Sequence, residues 1–133
     1  MGSWGVGMPA ALYLDEFGSI LWSVFGEQPF LVGSATKATN TRDVDVRVIL
    51  SNEDWKKWFP GLLVTTCEGD WQRNAKWVGL TMAFSELGKR ITGLPIDFQI
   101  QPERRAHISY PPQACPRHPI GRTPLRTIIE RWK

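Results

Sequence analysis

Residues 43–50 read Asp-Val-Asp-Val-Arg-Val-Ile-Leu, with Val44, Val46 and Val48 alternating against Asp43, Asp45 and Arg47. Side chains repeat with period two only in extended backbone, so this stretch must be a strand with one apolar face. Its other face opens with two carboxylates. A second alternation runs through residues 94–101. There Ile96, Phe98 and Ile100 share one face, and Asp97, Gln99 and Gln101 share the other. Such strands need a cover for their apolar faces, and the rest of the chain has to supply it.

Two amphipathic helices are available. From Pro9 to about Phe25, the residues Leu14, Phe17, Leu21 and Val24 recur at three- and four-residue steps. Pro9 suits a first helical turn, and Gly18 in the middle weakens the helix. Gly26-Glu27-Gln28-Pro29 ends it, and Phe30-Leu31-Val32 reads as a short buried strand stopped at Gly33 and Ser34. Ser51 with Asp54 three residues on predicts a capped short helix reaching Trp58 or Phe59, closed by Pro60-Gly61. Leu62–Thr66 fits either a short strand or an extended linker. Asp70 reads as the N-cap of a helix over about 71–90. Trp77, Leu80, Phe84, Leu87 and Ile91 form its core face, and Thr92-Gly93 ends it. Beyond Pro102 the pattern predicts only a short helix near 124–132.

Charge divides the chain unevenly. Residues 1–102 carry nine Lys/Arg against eleven Asp/Glu, and residues 103–133 carry seven against two, with five of the ten prolines. We therefore expect a core over 1–102 and a basic, Pro-rich C-terminal extension over 103–133. The extension either wraps on its own domain or meets phosphates and nucleic acid. No apolar run is long enough to cross a bilayer, and the opening residues lack a secretory pattern, so no membrane partner is expected. Two cysteines, Cys67 and Cys115, make no disulfide framework, and a reduced, cytoplasmic protein is the expectation.

The chemistry concentrates on carboxylates. Asp43 and Asp45 lie two apart on one strand face, roughly 7 Å apart, and Asp97 opens the polar face of the other strand. If the two strands are neighbours, the three converge. Unscreened, they raise one another's pKa, and a hard divalent cation relieves this. Mg2+ or Mn2+ suits an all-oxygen set. The plain alternative is a solvated strand face.

The order of strand, Gly33 and Ser34, an eight-residue loop, Asp43-Val44-Asp45-Val46 and a later strand with Asp97 resembles the DNA polymerase beta-type nucleotidyltransferase superfamily. The resemblance is closest to its small stand-alone bacterial and phage members and spans about residues 9–101. It implies an α/β (α+β) nucleotidyltransferase-like fold, a small mixed β-sheet flanked by helices. It also implies that Gly33 and Ser34 contact the phosphates of a nucleoside triphosphate, with Lys37 and Arg42 adding positive charge. Asp43 and Asp45 would bind two Mg2+ ions, and Asp97 would join the ion that activates the attacking hydroxyl. The activity implied is transfer of a nucleoside monophosphate to an acceptor hydroxyl on RNA, protein or a small molecule, with release of pyrophosphate.

The chain departs from larger members of that superfamily, which add a domain for the acceptor or base. A partner protein, a second copy of the chain in a homo-oligomer, or the basic extension would have to replace it. Two rival readings follow: a non-catalytic nucleotide-binding regulatory module, and an interaction protein such as half of a toxin–antitoxin pair. Aromatic rings stack on bases. Trp22 and Trp77 fall near helix core faces, whereas Trp55, Trp58 and Trp71 are unsettled between core and stacking. Cys115 and His118 lack the further ligands of a zinc site, and His107 and His118 have no nucleophile partner in sequence.

Overall fold

The computed structural model describes residues 9–32, 43–62, 70–104, 106 and 118–121. Helix α1 (Ala10–Phe25) is followed by strands β1 (Phe30–Val32) and β2 (Val44–Leu50). Helix α2 (Asn52–Trp58), a 3-10 turn (Asp70–Arg73), helix α3 (Ala75–Thr92) and strand β3 (Ile96–Pro102) come next. A two-residue strand β4 (His118–Pro119) completes a mixed four-stranded sheet of order β3-β2-β1-β4. The result is a small α+β fold, as the alternating patterns required. Among the described residues, no helix is long and apolar enough to cross a membrane.

The periodicities bury most of the expected faces; Val24 of α1 is an exception at 41% exposed, and its neighbour Phe25 is buried instead. Val44, Val46, Val48 and Leu50 of β2 and Phe98 and Ile100 of β3 are wholly buried, together with Leu14, Phe17 and Leu21 of α1. Phe98 is the meeting point of the layers. Its ring lies 6.5 Å from Phe17, 5.8 Å from Phe25 and 5.7 Å from Phe84, which joins the sheet to both long helices. Each aromatic contact of this kind adds about 0.5–1.5 kcal/mol beyond the area it buries.

The helix ends follow local chemistry. Ser51 accepts the Asp54 amide at 3.2 Å and so caps α2. Gly26 and Gly93 close α1 and α3 at φ 76° and 71°, a left-handed conformation that a side chain disfavours. The start of α3 differs from expectation. Asn74, not Asp70, is its N-cap and accepts the Trp77 amide at 3.1 Å. Asp70 instead opens the 3-10 turn that carries Trp71 into the core, where it is 1% exposed. Burial of that indole displaces the helix start by one turn.

The tryptophans left unsettled by sequence are packing residues. Trp55 stacks on Phe59 at 4.7 Å and meets Trp71 edge-on at 5.6 Å, and Trp71 meets Trp77 edge-on at 5.1 Å. The Trp55 indole donates to Leu62 O at 3.1 Å, and Trp77 donates to Ile100 O at 2.8 Å. Trp58 packs on Phe25 at 4.8 Å. Trp55, Trp71 and Trp77 are buried and closed to a base, whereas Trp58 is half-buried.

In the C-terminal region, expected either to wrap on its own domain or to meet phosphates, a short strand appears that the pattern does not predict. Residues 118–121 return to the body: Leu31 pairs with His118, Phe30 pairs with Pro119, and Ile120 is wholly buried. The Ile120 amide donates to Pro29 O at 3.0 Å. A two-residue strand ending in proline has no alternation to betray it, so only the open edge of β1 reveals it. The helix expected near 124–132, and all of Leu62–Thr66 except Leu62, lie outside the described residues.

Candidate functional site

Strands β2 and β3 are parallel neighbours, and their register pairs Asp45 with Asp97. Parallel partners sit about 4.8 Å apart with side chains on the same face, so these two carboxylates stand side by side. The register has a local origin. The Val44 amide donates to Pro95 O at 2.9 Å, locking the start of β2 to the start of β3. The faces then match along both strands, with Val46 beside Phe98 and Val48 beside Ile100. Asp43 precedes β2 and is exposed, at the mouth of the pair rather than between its members.

Arg47 is the residue that the sequence reading undervalued. It lies two positions beyond Asp45 on the same strand face, yet it is only 4% exposed. Its Nη2 is 3.7 Å from Asp45 Oδ1 and 3.4 Å from Asp97 Oδ2. Its Nη1 donates to Val46 O at 3.1 Å and to Asp97 O at 2.7 Å. The guanidinium is therefore anchored on both strands and braces both carboxylates from the interior side. The signal was present, since a base two residues from Asp45 on an alternating strand must share its face. Its burial was not visible, because that depends on what covers the sheet.

Burial raises the Asp45 carboxyl above its ordinary value, Arg47 opposes the shift, and the Asp97 and Asp43 charges add to it. Asp97 also lies close enough to share a hydrogen bond with Asp45. The Asp45 side chain is 22% exposed and that of Asp97 44%, so the pair opens to solvent on the side away from Arg47.

No family model matches the chain, nor does any curated protein or solved structure. Among the described residues, no group of three His, Cys, Asp or Glu side chains is gathered so as to hold a metal ion. Two carboxylates meet, and the third stands at their edge. The donor set is nonetheless hard oxygen with a surplus of negative charge, which fits Mg2+ or Mn2+ in kind. Gly33, Ser34, Lys37 and Arg42, the residues expected at the phosphates, lie outside the described residues.

The polar stripe continues down β3. Gln101 is 5% exposed, and its Nε2 donates to Gln99 Oε1 at 3.4 Å. This face is therefore covered at Gln101, whereas Asp97 and Gln99 are part-exposed.

Proposed function

We propose that the chain is a divalent-metal-dependent nucleotidyltransferase that moves a nucleoside monophosphate from a nucleoside triphosphate to an acceptor hydroxyl. The observation that carries this reading is the in-register pairing of Asp45 with Asp97 at the solvent-facing end of adjacent parallel strands. Asp45 and Asp97 would hold Mg2+, with Asp43 adding charge at the mouth. A bound metal supplies charge stabilisation to the attacking and leaving oxygens of an in-line displacement. The acceptor oxygen forms a bond to the α-phosphorus as the bridging bond to pyrophosphate breaks. The acceptor proton passes to solvent or to a carboxylate of the pair. Gly33, Ser34, Lys37 and Arg42, between β1 and β2 in sequence, would contact the phosphates, as the resemblance implies.

A second reading has a specific observation in its favour. Arg47 already neutralises part of the pair, and a carboxylate–guanidinium cluster of this kind can be purely structural. In that case the module binds nucleotide without turnover, or binds a partner.

Incubation with each of four α-32P-labelled nucleoside triphosphates, Mg2+ or Mn2+, and host RNA and protein extract separates the readings. Label transferred by the wild type and lost in the Asp43→Asn/Asp45→Asn double variant supports the enzyme and identifies the acceptor class. Transfer that survives in the double variant sinks the mechanism. Absent transfer with metal-dependent nucleotide binding retained supports the regulatory module.

A further inference from the structure

Strand β3 is an outer strand of the sheet, with β2 on one side and, among the described residues, no strand on the other. A bare strand edge is a template for pairing with another chain. Along a strand, alternate residues direct their main-chain groups to the same side. The Val44 amide takes Pro95 O, so Asp97, Gln99 and Gln101 also direct theirs toward β2. The main-chain groups of Ile96, Phe98, Ile100 and Pro102 therefore face outward.

Those outward groups are already engaged. The Phe98 amide donates to Ser85 Oγ at 3.0 Å, and the Ser85 hydroxyl donates to Phe98 O at 3.4 Å. Trp77 Nε1 donates to Ile100 O at 2.8 Å. The Ile96 amide donates to Leu94 O at 2.8 Å, and Pro102 has no amide hydrogen to offer. A second copy would need these same groups. Two β3 strands meeting antiparallel about a two-fold axis at Phe98 would exchange both N–H···O bonds between the two Phe98 residues. They would also set the Ile96 amide of one copy on Ile100 O of the other.

We propose that Ser85 and Trp77 of α3 form a latch that closes the β3 edge against a second copy of the chain. The two side chains occupy the main-chain groups that an antiparallel β3–β3 pair would use. The latch is independent of any nucleotide or metal.

Amide exchange and sedimentation of the full chain test it. The Phe98 amide is expected to be protected in the wild type and to exchange about tenfold faster in Ser85→Ala. Ser85→Thr restores the hydroxyl and is expected to restore protection. The Ser85→Ala/Trp77→Phe double variant is expected to associate as concentration rises, with exchange at Phe98 and Ile100 slowing again in the associated species. A folded double variant that stays monomeric overturns the proposal, as does association without that slowing. A wild type whose Phe98 and Ile100 amides gain protection with concentration also overturns it, since its edge would then be open. If the double variant does not fold, the exchange data still decide. Unchanged Phe98 exchange in Ser85→Ala, or a wild-type Phe98 amide that exchanges like a free one, removes the latch.

Discussion

A Cβ on Gly18 would lie 2.7 Å from the amide nitrogen of Gly121, so α1 and the end of β4 touch backbone to backbone. The same contact is fastened by the Gly121 amide donating to Asp15 Oδ1 at 3.1 Å, and by Gln28 Nε2 donating to Gly121 O at 3.1 Å. A glycine that local propensity marks as a weak point of the helix is the place where the C-terminal strand docks.

Substitution of Gly18 therefore has a sign that propensity alone gets wrong. On a free helix, Gly18→Ala would gain up to about 1 kcal/mol. Here the methyl meets the backbone of Ile120 and Gly121, which cannot rotate away, and a loss of about 1–3 kcal/mol is expected. Urea unfolding gives the answer. A stabilised Gly18→Ala variant would show that 118–121 does not dock on α1.

The start of α3 supplies a second measurement. Asn74 caps the helix through the Trp77 amide. Asn74→Ala is expected to cost about 0.5–2 kcal/mol, and Asn74→Asp to restore most of that loss. Thermal melts of the three proteins check it, and an unchanged melting temperature in Asn74→Ala would argue against the cap.

Asp45 makes stability depend on pH in a defined direction. Its folded pKa stands above the ordinary 3.8, because burial, Asp97 and Asp43 disfavour the charge more than Arg47 supports it. The native state then holds this proton more tightly than the unfolded chain. Its contribution to stability is full below 3.8 and is lost as pH rises through the folded value. Without divalent cations, the stability of Asp45→Asn relative to the wild type is therefore expected to rise with pH above 3.8 and then level off. Urea midpoints of both proteins across that range test the sign. A wild type that gains on the variant as pH rises would show that Arg47 dominates the pair.

Loss of the indole donor at Trp77 should be felt across the core. Its nitrogen donates to Ile100 O at 2.8 Å, and its ring supports Trp71. Trp77→Phe removes that donor and part of the ring, and a loss of about 1–3 kcal/mol is expected, since the Ile100 carbonyl is left without this partner. The denaturation midpoint reads it directly.

Much of the fold was legible along the chain. The alternations placed β2 and β3, three- and four-residue steps placed α1 and most of α3, and Ser51, Gly26 and Gly93 marked ends whose geometry is local. These features depend on residues within a turn or two of one another, and local sterics and hydrogen bonding are written in the sequence. The parallel register of Asp45 with Asp97, the return of 118–121 to β1, the choice of Asn74 over Asp70 and the burial of Arg47 were decided elsewhere. Arg47 and Asp97 are 50 residues apart, and Gln28 and Gly121 are 93 apart. Contacts of that span form only once the strands have an order and the helices a side. The sequence by itself determined which faces are apolar and where acids sit on them. The tertiary structure decided which acids stand together and which cation stands behind them, because sheet order and cover are properties of the whole packed chain.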